Sequence, residues 1–73
     1  MENNLEAQRQ KTKEDAVFLA LQNDMALIRR GLEIWGMKKD GSTVFISKSL
    51  SYDQLWQDAL NALRLKFSKN ILV

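Results

Sequence analysis

The chain has 73 residues and contains no cysteine, no histidine and no proline. Without cysteine there is no disulfide, and without cysteine or histidine the common zinc sites are excluded. No stretch spaces carboxylates at alternate positions around a glycine, as a calcium loop of the EF-hand type needs, so no metal is predicted. The three glycines, Gly31, Gly36 and Gly41, are scattered through the chain rather than gathered in a phosphate-binding loop. Their spacing suits caps and turns. The longest apolar run, Ala16 to Leu21, falls far short of the roughly 20 residues of a membrane span. The start, Met1-Glu2-Asn3-Asn4, lacks the basic and apolar regions of a secretory signal. A soluble, cytoplasmic chain without cofactor is the expectation. No repeat, proline linker or low-complexity tract divides it, so 1–73 reads as a single domain.

So short a chain buries only about 60% of its unfolded surface, and some staple is needed. With disulfides and metals removed, a second subunit remains, and a homodimer is expected.

Net charge is only +2, which argues against bulk electrostatic binding of nucleic acid. Its distribution is uneven. Arg29, Arg30, Lys38, Lys39 and Lys48 face only Glu33 and Asp40 between positions 29 and 48, and Arg64, Lys66 and Lys69 close the chain without an acid.

The fold class expected is α+β, mostly helical: a long N-terminal helix, a β-hairpin over about 32–38 and 43–48, and a second amphipathic helix over about 52–67. Thr12 with Asp15 is the firmer start signal for the first helix, against Asn3 or Asn4. Residues 1–11 then form a mobile arm or frayed helix. Phe18, Leu21, Met25, Ile28 and Leu32 alternate steps of three and four, the seam of a helix, which Val17, Ala20 and Leu27 widen. Arg29 and Arg30 suit its last turn and Gly31 its end.

Asp40-Gly41 between apolar runs is a strong hairpin signal, because both residues tolerate the positive φ of a two-residue turn. That turn pairs Met37 with Val44, Gly36 with Phe45, Trp35 with Ile46, Ile34 with Ser47 and Glu33 with Lys48. Trp35, Met37, Val44 and Ile46 then share one face, which the helices must cover. Ile34 and Phe45 are left outside, Phe45 lying over Gly36. Ser51 and Gln54 form a capping box ahead of the second helix, whose apolar set is Tyr52, Leu55, Trp56, Ala59, Leu60, Leu63 and Phe67. Residues 68–73 end in the apolar Ile71-Leu72-Val73, expected to dock on the core or on a twin.

Catalysis finds little support. No histidine can activate a serine, Ser47 and Lys48 point to opposite sides of a strand, and the pairs Glu14-Asp15 and Asp53 with Asp58 diverge on their helices. The expectation is a small non-enzymatic regulator, of the kind phages and plasmids encode, that binds a larger protein or nucleoprotein machine such as RNA polymerase and modulates or inhibits it. The partner-binding candidates are Ile34, Trp35, Phe45, Lys38 and Lys39, since aromatic and basic residues most often anchor interfaces. One alternative is nucleic-acid binding by a basic ribbon of Arg29, Arg30, Lys38, Lys39 and Lys48, weak and steeply salt-dependent. Another is a structural or assembly subunit without a separate ligand.

Overall fold

The computed structural model describes the backbone of residues 2–67 and the side chains of residues 6–67. The apolar tail proposed for 68–73 lies outside the described residues. Five elements follow one another: α1 (Glu2–Gln22), β1 (Met25–Arg30), β2 (Glu33–Lys38), β3 (Thr43–Lys48) and α2 (Tyr52–Lys66). The class is α+β, about half helical, with an antiparallel three-stranded sheet in the order β1-β2-β3.

The first helix begins and ends earlier than its periodicity implies. It starts at Glu2, and Thr12 lies within it, its hydroxyl donating to the Gln8 carbonyl at 2.8 Å instead of capping an end. It stops at Gln22 because the next two residues favour turns. The Asn23 side-chain amide donates to the Leu19 carbonyl at 2.9 Å, and Asp24 takes φ 62°. The N–H groups of Asn23 and Asp24 reach back three residues, to Ala20 and Leu21. Met25–Arg30 is therefore a strand, not the last turns of a helix. Gly31 is the first loop residue of a two-residue hairpin closed by Arg30 and Glu33. Its φ is +62° while Leu32 has no positive φ, the signature of a type II′ turn.

The helical seam expected at Phe18, Leu21, Met25, Ile28 and Leu32 does not form. Phe18 and Leu21 are exposed, and the stripe that packs is Arg9, Lys13, Ala16 and Ala20. Ala16, Ala20 and Ala59 are fully buried. Such small side chains let two helices approach closely. Arg9 meets Asp53 and Lys13 meets Trp56, so positions advance together and the two helices run parallel. The α1 helix packs against β1 and α2 against β3, both on the same side of the sheet.

The second hairpin uses another turn than the one expected. Lys38 N–H donates to the Ser42 carbonyl at 2.8 Å and Gly41 N–H to the Lys38 carbonyl at 3.0 Å. The loop is thus Lys39-Asp40-Gly41, a type I turn followed by a left-handed glycine, Gly41, at φ +88°. Asp40 has no positive φ. Its carboxylate accepts hydrogen bonds from the Ser42 N–H at 2.9 Å and the Ser42 hydroxyl at 2.7 Å.

The third loop residue slips the pairing by one, to Met37 with Thr43, Gly36 with Val44 and Trp35 with Phe45. A bulge at Ile46 then restores it, and Glu33 still faces Lys48 and Ile34 still faces Ser47. A one-residue slip turns a strand's side chains over. Ile34 consequently lies in the core with no exposed surface, while Trp35 and Met37 turn outward. Val44 and Ile46 face inward as the pattern required, and the bulge buries Ser47 beside Ile46. Gly36 is also inward. An added Cβ there would come within 2.8 Å of Met25 Sδ, so it is Met25 that fills the space over this glycine, and Phe45 is on the opposite face.

The α2 helix follows its periodicity closely. Leu55, Trp56, Ala59, Leu60 and Leu63 are buried, whereas Tyr52 is 48% exposed. Ser51 holds the N-cap position without a side-chain bond, so the capping box does not form. The polar tie lies two residues earlier. The buried Ser49 donates its hydroxyl to Asp58 at 2.7 Å and its N–H to the Leu32 carbonyl at 2.9 Å, linking α2 to the β1-β2 turn.

Candidate binding surface

With both helices on one side, the other side of the sheet is open. Strand alternation and register place Ala26, Ile28 and Arg30 of β1 there, with Glu33, Trp35 and Met37 of β2 and Thr43, Phe45 and Lys48 of β3. Ile28, Trp35 and Phe45 form one row across the three strands. Phe45 is 46% exposed and Met37 40%.

Trp35 is the centre of this row and its ring is held on several sides. Phe45 meets it edge-on, at 82° and 5.4 Å between centroids. The Arg30 guanidinium lies 5.5 Å from its centroid, and its indole N–H donates to Glu33 at 3.0 Å. Aromatic pairs and cation–π contacts of this kind are each worth about 0.5–1.5 kcal/mol. The result is a rigid apolar strip with a polar edge.

The expected site residues are only partly gathered here. Trp35 and Phe45 are at the centre, joined by Arg30 and, at the rim, by Lys48. Ile34 is removed from the site by its full burial. Arg29 is on the helix side, 5.2 Å from the Tyr52 ring, with its Nε donating to the Gly31 carbonyl. Lys38 and Lys39 belong to the far hairpin end, where Lys39 lies 3.6 Å from Asp24, both side chains well solvated. The five basic residues therefore do not make one ribbon surface. Ile28, expected on the seam of a helix, and Met37, expected under the helices, are members of the strip instead. Once Met25–Arg30 is a strand, alternation along it puts Ile28 on the open face opposite Trp35.

A second concavity, about 470 Å3, lies between the helices and is lined by Glu6, Arg9, Gln10, Lys13, Tyr52 and Trp56. Its cations are already engaged. Arg9 binds Asp53 at 3.0 Å and sits 5.9 Å from the Tyr52 ring, and Lys13 sits 5.5 Å from that of Trp56.

Among the described residues, no group of three acidic, histidine or cysteine side chains could hold a metal ion. No helix among them is long and apolar enough to cross a membrane. Asp40 has its carboxyl held below the ordinary aspartate value, first by the Ser42 hydroxyl, then by the Ser42 N–H and the nearby Lys38 charge. That anchors a turn at full solvent exposure. Searches for relatives return no matching family model, no matching curated protein and no matching solved structure.

Proposed function

We propose that the chain is a non-enzymatic binding module that docks the open face of its sheet on a larger protein and modulates it. The observation that carries this reading is the strip of Ile28, Trp35, Met37 and Phe45. The core closes without them, through Ile34, Leu55, Leu63 and their neighbours, and a rigid aromatic row with an arginine is the composition of interface hot spots. Phe45 and Met37 keep about two fifths of their surface in water, and docking removes that remainder, which suits the centre of a small interface surrounded by a polar rim.

A protein partner is favoured over a nucleic acid by the packing around Trp35. Bases bind by stacking on a free ring face, and here Arg30 and Phe45 already occupy the surroundings of that ring. The cations on this face, Arg30 and Lys48, are opposed by Glu33, so the surface carries little net charge.

The test is affinity capture with three immobilised chains: wild type, Phe45→Lys, and Leu50→Lys as a control at a 93% exposed loop position. The reading expects one partner retained by wild type and control and lost by Phe45→Lys, with unchanged circular dichroism. Binding to single-stranded oligonucleotides that falls steeply with salt and survives Phe45→Lys would assign the chain to nucleic acid instead.

A further inference from the structure

The edge strand β1 is regular, and among the described residues its outer edge is unpaired. Its partner β2 pairs with it without a register shift, and the closing pair Arg30 and Glu33 exchange hydrogen bonds across a two-residue turn. Alternation then directs the backbone groups of Ala26, Ile28 and Arg30 toward β2 and those of Met25, Leu27 and Arg29 outward. No other hydrogen bond among the described residues reaches these outward groups. The opposite edge, β3, carries a bulge, a device that blunts edges against pairing, and the exposed Lys48. Strand β1 has neither bulge nor proline, and its charges, Arg29 and Arg30, are confined to its last two residues.

We infer that β1 pairs antiparallel with β1 of a second copy, about a twofold axis at Leu27, joining two three-stranded sheets into one. Only residues whose groups point outward can exchange bonds, which places Leu27 opposite Leu27 and Met25 opposite Arg29. One step outside the strand, the same twofold brings Asp24, in the left-handed turn that precedes β1 and beside Lys39 of its own chain, toward Arg30 of the second copy. The strand is therefore self-complementary in charge: an acid precedes it, arginines end it, and twofold pairing brings each acid to the other copy's arginine. Both Asp24 and Arg30 are exposed.

The helix layer supports the same seam. Helix α1 packs on β1 and is the element nearest this edge. Its contacts to α2 include Arg9 with Asp53 and Lys13 with Trp56, and at 3.6 residues per turn Phe18 lies on the far side of the helix from them with Leu21 beside it. They are 63% and 59% exposed. A second copy reached through β1 meets this flank, so one contact covers both the unpaired backbone and the two large apolar groups. The outer rows of Ile28, Trp35 and Phe45 also become continuous across the seam. The pairing rests on the sheet edge; it shares only Arg30 with the docking face, and Asp24→Lys tests it without altering that face.

Sedimentation with wild type, Asp24→Lys, Arg30→Glu and the double exchange tests this pairing. Wild type is expected to dimerise, and each single change, which turns two ion pairs into two repulsions, should weaken dimerisation about tenfold. The double exchange should restore it. Amide exchange gives a second readout: Leu27 N–H is protected in the dimer and exchanges freely on dilution. A chain that stays monomeric to about 1 mM overturns the inference. So does a dimer indifferent to both single changes, or one in which Leu27 N–H is unprotected.

Discussion

Replacing Ile34 with alanine should be among the most damaging single changes available to this chain. The side chain is fully buried between the sheet and α2. Truncation removes three carbons, about 0.8 kcal/mol each, or about 2.4 kcal/mol in transfer free energy. The space left between two layers adds a cavity contribution, which brings the expected loss to about 3–4 kcal/mol. A chain of this size has a total stability of roughly 4–11 kcal/mol, so the loss is about a third of the upper figure and nearly all of the lower. In thermal unfolding each kcal/mol shifts the midpoint of a small domain by about 4–8 °C, so a fall of roughly 12 °C or more is expected. Urea denaturation followed by far-ultraviolet circular dichroism, at fixed protein concentration, measures the difference directly. Phe45→Ala is the companion variant. With its ring 46% exposed, it should lose about 1 kcal/mol, mainly the edge-on contact with Trp35. The reverse order, with Phe45→Ala the more damaging, would refute the assignment of the two sheet faces.

Other perturbations follow from the turns and the polar tie. Ser49→Ala removes the part-buried hydrogen bond to Asp58 and should cost about 1 kcal/mol in urea unfolding; an effect under about 0.3 kcal/mol would mean that water replaces the hydroxyl freely. Gly31→Ala meets no atom within 4 Å but must hold φ +62°, a backbone penalty of about 1–2 kcal/mol without change in the m-value. Asp40 has a lowered folded-state pKa, so its contribution to stability is complete above the unfolded value, near 3.8, and is lost as pH falls through the folded one. The difference in urea midpoint between wild type and Asp40→Ala should therefore be constant near neutrality and narrow only in acid.

Much of the fold is legible in the sequence, and the parts that are not share a cause. The α2 helix is readable because its apolar set keeps a period of 3.6 through four turns with nothing competing. The bounds of β2 and β3, and the Glu33 to Lys48 pair, also follow from pattern. Residues 25–30 are different: Met25 and Ile28 satisfy a helical spacing while Met25 and Leu27 satisfy a strand, and six residues are too few to decide. What decides is Asn23-Asp24, where side-chain capping and a left-handed backbone end the helix. The face of β2 depends on a choice between two turns that both use Asp-Gly. The bond from Asp40 to Ser42 selects the longer one, and the single extra residue exchanges Ile34 for Trp35 in the core. Of the candidate site, Trp35 and Phe45 were identifiable as aromatic anchors in the hairpin. The place of Ile28 in the strip is hidden by the same ambiguity over residues 25–30, and Arg29 and Arg30 separate onto opposite faces only once that segment is a strand.

The parallel seam between α1 and α2 constrains the order in which the molecule can form. Its contacts, such as Arg9 with Asp53, join residues 44 positions apart in the chain, whereas each hairpin closes through neighbours. Loop closure over that distance is unfavourable until the three strands between have already drawn the helices to one side. The sheet is thus the early, local part of folding and the helix seam the late, long-range part. Substitutions at Ala16 or Ala59 should then act mainly by speeding unfolding, and those in the hairpins by slowing folding.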